Sequence, residues 1–195
     1  MKIILASKSG VRKKIMEENQ IDCDVVVSNV DEDEVKSSLL SEGATPLEIS
    51  KNLAEIKSVK VSNKYPDRLV LGADSVISLN NELINKPKSR NESLMILKKL
   101  NNHKHLLISS VCISKNGSMI WNHSDTSELK MKKLNNKEHH LISSVCISKN
   151  GSMIWNYTDK AKLKMKNFTD KELEDYLVKI PDSTLYAYNV YQIEG

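Results

Sequence analysis

MKIILASKSGVRKK, residues 1–14, is the stretch from which the fold class can be read. Ile3, Ile4 and Leu5 form a short apolar run, small and polar residues lead to Gly10, and an apolar-and-basic stretch able to wind as a helix follows. The order is strand, loop, helix start. Such a loop aims backbone N–H groups and the positive end of a helix dipole at whatever lies in front of it, and Ser7, Ser9, Arg12 and Lys13 add hydroxyls and positive charge there. The arrangement suits a phosphate. By itself it also fits an ordinary serine-capped first helix.

The chain beyond continues in the same alternation. A first helix from about Val11 to Asn19 precedes DVVVS (Asp24–Ser28), a β-branched strand that delivers Asp31 and Glu32 into a loop. The acidic cluster of residues 31–34 reads equally well as a solvated helix start. Pro46, after Thr45 as cap, opens a helix with Leu47, Ile49, Leu53, Ile56 and Val59 on one side; it also carries Lys57 and Lys60. RLVL (residues 68–71) then runs as a strand into Gly72, Ala73 and Asp74. Aspartate is depleted in strand interiors, and one flanked by Val70, Leu71, Val76 and Ile77 is desolvated unless a metal or a base partners it. Asp74 is the strongest single candidate for chemistry. Asn80-Asn81 reads as a turn, Leu83-Ile84 as a short strand and Lys86-Pro87 as a corner, followed by a helix near Ser89–Leu100 whose leucines belong to the core.

Composition bounds the rest. At 195 residues the chain can bury a proper core in one domain or two small lobes. A net charge of +4, with lysines scattered rather than massed, argues against a duplex-binding protein and for one that handles small anions. No stacking aromatics alternate with a basic strip, so a nucleic-acid module has little behind it. No apolar stretch reaches the roughly 18 to 20 residues of a membrane span, and the opening apolar run is too short for a secretory signal core. The expected compartment is the cytoplasm. Cys23, Cys112 and Cys146 show no CxxC spacing, so neither a disulfide framework nor a thiolate zinc site is indicated.

The second half holds a tandem repeat. LISSVCISKNGSMIWN stands at residues 107–122 and again at 141–156, and weaker matches extend the unit to residues 100–133 and 134–167. Each copy alternates as a strand, turns at Asn-Gly and returns, which predicts a hairpin plus a following strand. The two copies compete for one place in the fold, and the one left out should be poorly packed. All five histidines, His103, His105, His123, His139 and His140, lie in or beside the repeat, but without metal-ligand spacing.

Laid in order, LASKSGVR (residues 5–12), VDE (30–32), LAEIKS (53–58), GADSV (72–76), INKP (84–87), LNNHKHLLIS (100–109) and YQIEG (191–195) resemble the Maf family of nucleoside triphosphate pyrophosphatases. The resemblance covers nearly the whole chain. It implies a Maf/ITPase-like α/β fold, a mixed sheet in two lobes around a nucleotide cleft, here as a single domain over residues 1–195 with an extra duplicated hairpin. It also implies hydrolysis of a nucleoside triphosphate, such as dTTP, UTP or a modified nucleotide, to the monophosphate and pyrophosphate, with Mg2+ or Mn2+, in a homodimer. By that likeness Ser7, Ser9 and Arg12 hold phosphate oxygens, and Lys57 and Lys86 face the triphosphate. Glu32 and Asp74 serve the metal, Asp74 alternatively as the base on the attacking water, and Gln192 lies near the substrate.

Three departures accompany the likeness. Gly10 and Val11 stand where many members have Pro and Arg, the repeat inserts a hairpin, and members continue past the position of Gly195 with another strand and helix. The competing reading is a catalytically inactive relative that binds only nucleotide or a partner. Residues through Lys86 favour the enzyme; those after Leu100 favour the inactive relative.

Overall fold

The computed structural model describes residues 2–101, 103–130, 138–149, 152–164 and 169–181. Among these residues, eight strands and five helices follow in the order β1 (Ile3–Leu5), α1 (Gly10–Glu18), β2 (Cys23–Val25), α2 (Glu32–Ser41), α3 (Pro46–Ser62), β3 (Val70–Leu79), β4 (Glu82–Ile84), α4 (Arg90–Leu100), β5 (Lys104–Lys115), β6 (Ser118–Lys130), β7 (Glu138–Lys149), β8 (Ser152–Lys164) and α5 (Asp170–Lys179). The local reasons are those of the sequence. Ser9, Asp31, Thr45, Ser89 and Thr169 cap the five helices by accepting a backbone N–H three residues on, and Thr45–Glu48 and Thr169–Glu172 close reciprocal capping boxes. Asn80 and Asn81 both take the left-handed conformation, which turns β3 directly into β4.

Six strands make one mixed sheet in the order β2-β1-β3-β5-β6, with β4 also on β3. β1 runs parallel to β2 and β3, while β4 and β5 are antiparallel to β3 and β6 is antiparallel to β5. α3 lies against β3 and β5. One apolar cluster joins the end of β3 to β4, α4 and α5 through Ile77, Leu79, Ile84, Leu97, Leu100, Leu173 and Leu177. A second, of Ile4, Ala6, Val61 and Val70, ties β1 to β3 and to the last turn of α3.

Three expectations shift. β2 ends at Val25 rather than Ser28, because only Cys23, Asp24 and Val25 find partners on the three-residue β1. The unit read as a hairpin plus a following strand is a hairpin alone: β6 runs as one strand to Lys130, paired with β5 on both sides of a single register shift. The first copy of the repeat, β5–β6, takes the place beside β3, whereas β7–β8 forms a separate two-stranded sheet. Both hairpins carry the same register shift, at Ile113/Ser114 and at Ile147/Ser148.

Candidate active site

The site lies where the sheet forks. β5 follows one edge of β3 from Val70 to Ser78, but the other edge is shared: β1 holds Val70 and Leu71, and β4 holds Ile77 to Leu79. Residues 72–76 between them have β5 as their one strand neighbour among the described residues. Asp74 sits in the middle of that gap. An open strand edge leaves backbone groups in need of partners, and Arg12 from α1 supplies one, its Nη1 donating to the Ala73 carbonyl at 3.0 Å.

Gly72 fixes the distance between α3 and the fork. A Cβ there would meet the Ala54 carbonyl oxygen at 2.2 Å and the Ser58 nitrogen at 2.8 Å, so only glycine lets the helix lie this close. Ser50 donates from its hydroxyl to the Asp74 carbonyl at 3.3 Å, and the Ser58 and Ser114 hydroxyls are 2.7 Å apart. Lys57, on the same face of α3, is thereby held over Asp74. Its ammonium donates to Asp74 Oδ1 at 2.7 Å and lies 2.8 Å from Glu32 Oε1. Lys57 and Asp74 are each 5% exposed. A buried ammonium this close to two carboxylates gives each buried charge a partner of opposite sign.

The remaining groups converge on the same hollow, a cavity of about 580 Å³. Ser9 is used as the cap of α1, its Oγ accepting from the Arg12 nitrogen at 3.3 Å, and the Ser7 Oγ accepts from the Ser9 nitrogen at 3.1 Å and from Arg12 Nη1 at 3.2 Å. Both side-chain bonds of Arg12 use Nη1 and leave its other guanidinium donors to the cavity. Lys60 donates to the Asn29 carbonyl at 2.6 Å and so ties the loop between β2 and α2, which forms one wall, to α3. Burial pushes the Glu32 carboxyl up, but attraction to Lys57 and their hydrogen bond, with Lys86 and Lys36 behind, outweigh it and hold the group below the ordinary range. Lys86 reaches solvent within the cleft, yet the surrounding protein, aided by the positive Lys36 and Lys57, holds its ammonium below the ordinary lysine range despite Glu32 and Asp74.

Ser7, Ser9, Arg12, Glu32, Lys57, Asp74 and Lys86 therefore all line one cavity, although 79 residues separate the first from the last. Gln192 lies outside the described residues. Lys36 also lines the cavity and was passed over in the sequence; its signal is the four-residue spacing from Glu32, which puts both on one face of α2. Of the histidines, His105 is buried on β5 with its imidazole held below its ordinary pKa by desolvation, and His123 stacks on Trp121. Among the described residues no group of three or more His, Cys, Asp or Glu is placed to hold a metal ion.

Residues 2–138 match the family model described as "Maf-like protein". The chain belongs to the Maf-like family. A relative from Pelagibacter ubique named "Nucleoside triphosphate pyrophosphatase" is 55% identical over 193 residues, which cover 99% of this chain and 82% of that protein. A Brucella abortus relative named "7-methyl-GTP pyrophosphatase" is 32% identical over 131 residues, 67% of this chain and 66% of that protein. The solved structure of a HAM1 protein from Coxiella burnetii overlaps at a TM-score of 0.45 with 15% identity, covering 66% of this chain and 71% of that one; the mixed sheet of this Maf-like chain rests on its own strand pairing. The family match spans β1 to β6, the elements that build the fork and its cavity.

Proposed function

We propose that this chain is a nucleoside triphosphate pyrophosphatase, which adds water at the α-phosphorus, breaks the bond from that phosphorus to the oxygen bridging the α and β phosphates, and releases nucleoside monophosphate and pyrophosphate. One observation carries the reading. Asp74 Oδ2 is a buried carboxylate oxygen without a hydrogen-bond partner, in a residue that lines the cavity, while Oδ1 of the same group is held by Lys57. A desolvated acceptor of this kind is costly unless a water, a proton or a cation completes it.

The roles follow from position. Ser7, the start of α1 and Arg12 bind phosphate oxygens, with Ser9 shaping the loop as its cap, and Lys86 neutralises charge from the opposite wall. Lys57 pairs with both Asp74 and Glu32 and holds the two carboxylates in place. Asp74 Oδ2 accepts a hydrogen from the attacking water, whose proton passes to solvent as pyrophosphate leaves. Gln192 is assigned to the substrate on family likeness alone. The residues present also fit the divalent ion, Mg2+ or Mn2+, that the family implies. Such an ion is usually bound through one or two carboxylates together with substrate phosphates, and Glu32 would hold it here, with the unpartnered Asp74 Oδ2 as a second ligand in the alternative to its role as base. When bound, it supplies Lewis-acid stabilisation of the phosphate oxygens. A homodimer in the cytoplasm completes the reading, again on family likeness.

The test is pyrophosphate release by the purified chain against dTTP, UTP, the other canonical triphosphates and 7-methyl-GTP, with Mg2+ or Mn2+. Asp74→Asn should keep the fold and lower turnover by about a hundredfold or more, the scale of a lost general base. Near-wild-type turnover in that variant removes Asp74 from the role. No release by a cooperatively folded wild-type chain favours the inactive relative.

A further inference from the structure

Lys36 differs from the other lysines that pair with a glutamate one helical turn away. Lys13 and Lys14 on α1 lie 3.2 and 3.6 Å from Glu17 and Glu18 and keep side chains 53% and 62% exposed, as surface pairs do. Lys36 lies farther from Glu32, at 3.8 Å, yet its side chain is 12% exposed and lines the cavity. Attraction to Glu32 alone does not account for this, because the closer pairs stay in solvent and Glu32 already holds Lys57 through Oε1. Lys36 and Lys86 thus bring two ammonium groups to one cavity, and the charge of the first adds to the desolvation that holds the second below its ordinary range. Lys57, between two carboxylates, adds no net charge to the opening.

We infer that Lys36 is a substrate-binding residue that, paired with Lys86, takes the phosphate chain of the nucleotide. The inference rests on the phosphate reading of the cleft. Two ammonium groups lining one cavity repel each other, and a polyanion that reaches both relieves that repulsion and gains two charge-assisted contacts at once.

Calorimetric binding of tripolyphosphate tests it apart from turnover. Lys36→Gln should weaken binding about tenfold or more, the scale of one lost charge-assisted contact, with an unchanged melting temperature. Lys36→Arg should restore most of the affinity, and Lys14→Gln should change nothing. Wild-type affinity in Lys36→Gln overturns the inference. Wild-type chain that binds tripolyphosphate but releases no pyrophosphate from any nucleotide overturns the enzymatic reading and leaves Lys36 in place; wild-type chain that binds none overturns both.

The duplicated hairpin carries a second inference independently. Between Val70↔Ser114 and Ile77↔Leu107, every β5 residue opposite β3 has an identical counterpart in β7, from Ser148 back to Leu141. The Asn116-Gly117 turn, which docks on α3 through the Ser62 hydroxyl at 3.0 Å from the Gly117 nitrogen, is repeated as Asn150-Gly151. The lengths are symmetrical too: seated on β3, either hairpin leaves one 34-residue unit as an excursion between α4 and α5, so loop closure costs about the same. Leu106, half-buried opposite Ser78, becomes His140 in the second copy, which favours the first. We propose that β7–β8 is a spare occupant of the β3 edge that takes over when β5–β6 is damaged.

Ile108 is buried on β5, and Ile142 is its counterpart. Ile108→Asp should lower the melting temperature but keep a cooperative transition, Ile142→Asp should leave it unchanged, and the double variant should lose it. Loss of the transition in Ile108→Asp alone means the second copy cannot replace the first. Loss in Ile142→Asp alone, or a double variant that still melts cooperatively, equally overturns the proposal.

Discussion

Asp74 and Lys57 form one buried pair on which both the fold and the proposed chemistry rest. Lys57→Met would leave two carboxylates facing each other beside the cavity, one of them 5% exposed, without their cation. It should cost about 3–5 kcal/mol in chemical denaturation, the usual result of breaking a buried ion pair from one side. Glu32 contributes to the loss of stability in acid. Its carboxyl is held below the ordinary range in the folded chain, so the unfolded chain binds its proton first as pH falls. Its stabilising contribution is therefore complete above about pH 4.3, the ordinary glutamate value, and is lost as pH drops through the lower folded-state value. The gap in melting temperature between wild type and Glu32→Gln should be widest near neutrality and should close as the pH falls below 4.3. The sequence made Asp74 stand out because a carboxylate in an apolar strand is unusual. It gave Lys57 no such mark, since a lysine on a helix is ordinarily solvated.

At the scale of elements, the decisive contact is α3 on β3. Gly72→Ala would place a methyl group 2.2 Å from the Ala54 carbonyl oxygen, and neither the helix backbone nor the strand can yield locally. The variant should lose about 1–3 kcal/mol of stability, as overpacked cores do. It should also lose pyrophosphate release, because lifting α3 withdraws Lys57 from Asp74; urea titration and the release assay read the two effects separately. Helix starts were legible within a residue for α1, α3 and α4, most directly where Thr45 and Pro46 spelled out the cap and first turn. Strand limits were less so. The length of a strand depends on its neighbour, which is why β2 stops early and β6 runs on.

For the molecule as a whole, the duplication is an addition to a sheet that closes without it. The described cavity is lined by residues up to Leu107, and β7 and β8 pair only with each other among the described strands. Deleting residues 134–167, which joins Lys133 to Phe168, should therefore leave the melting temperature and pyrophosphate release close to those of the full chain. A collapse of either on deletion would show that the second hairpin supports the first.

The sequence by itself determined the alternation of elements, the capped helices, the repeat and the motifs that mark the family, because propensity, caps and residue order are local properties of the chain. The gathering of Ser7, Arg12, Glu32, Lys57, Asp74 and Lys86 around one cavity was legible only through family likeness. Tertiary structure alone decided three things: the fork that opens the edge of β3 at Asp74, the inward turn of Lys36, and the seating of the first hairpin rather than the second. Each depends on which distant segment wins a shared edge or a shared space. Two identical sixteen-residue stretches in different places show that local sequence does not settle that competition.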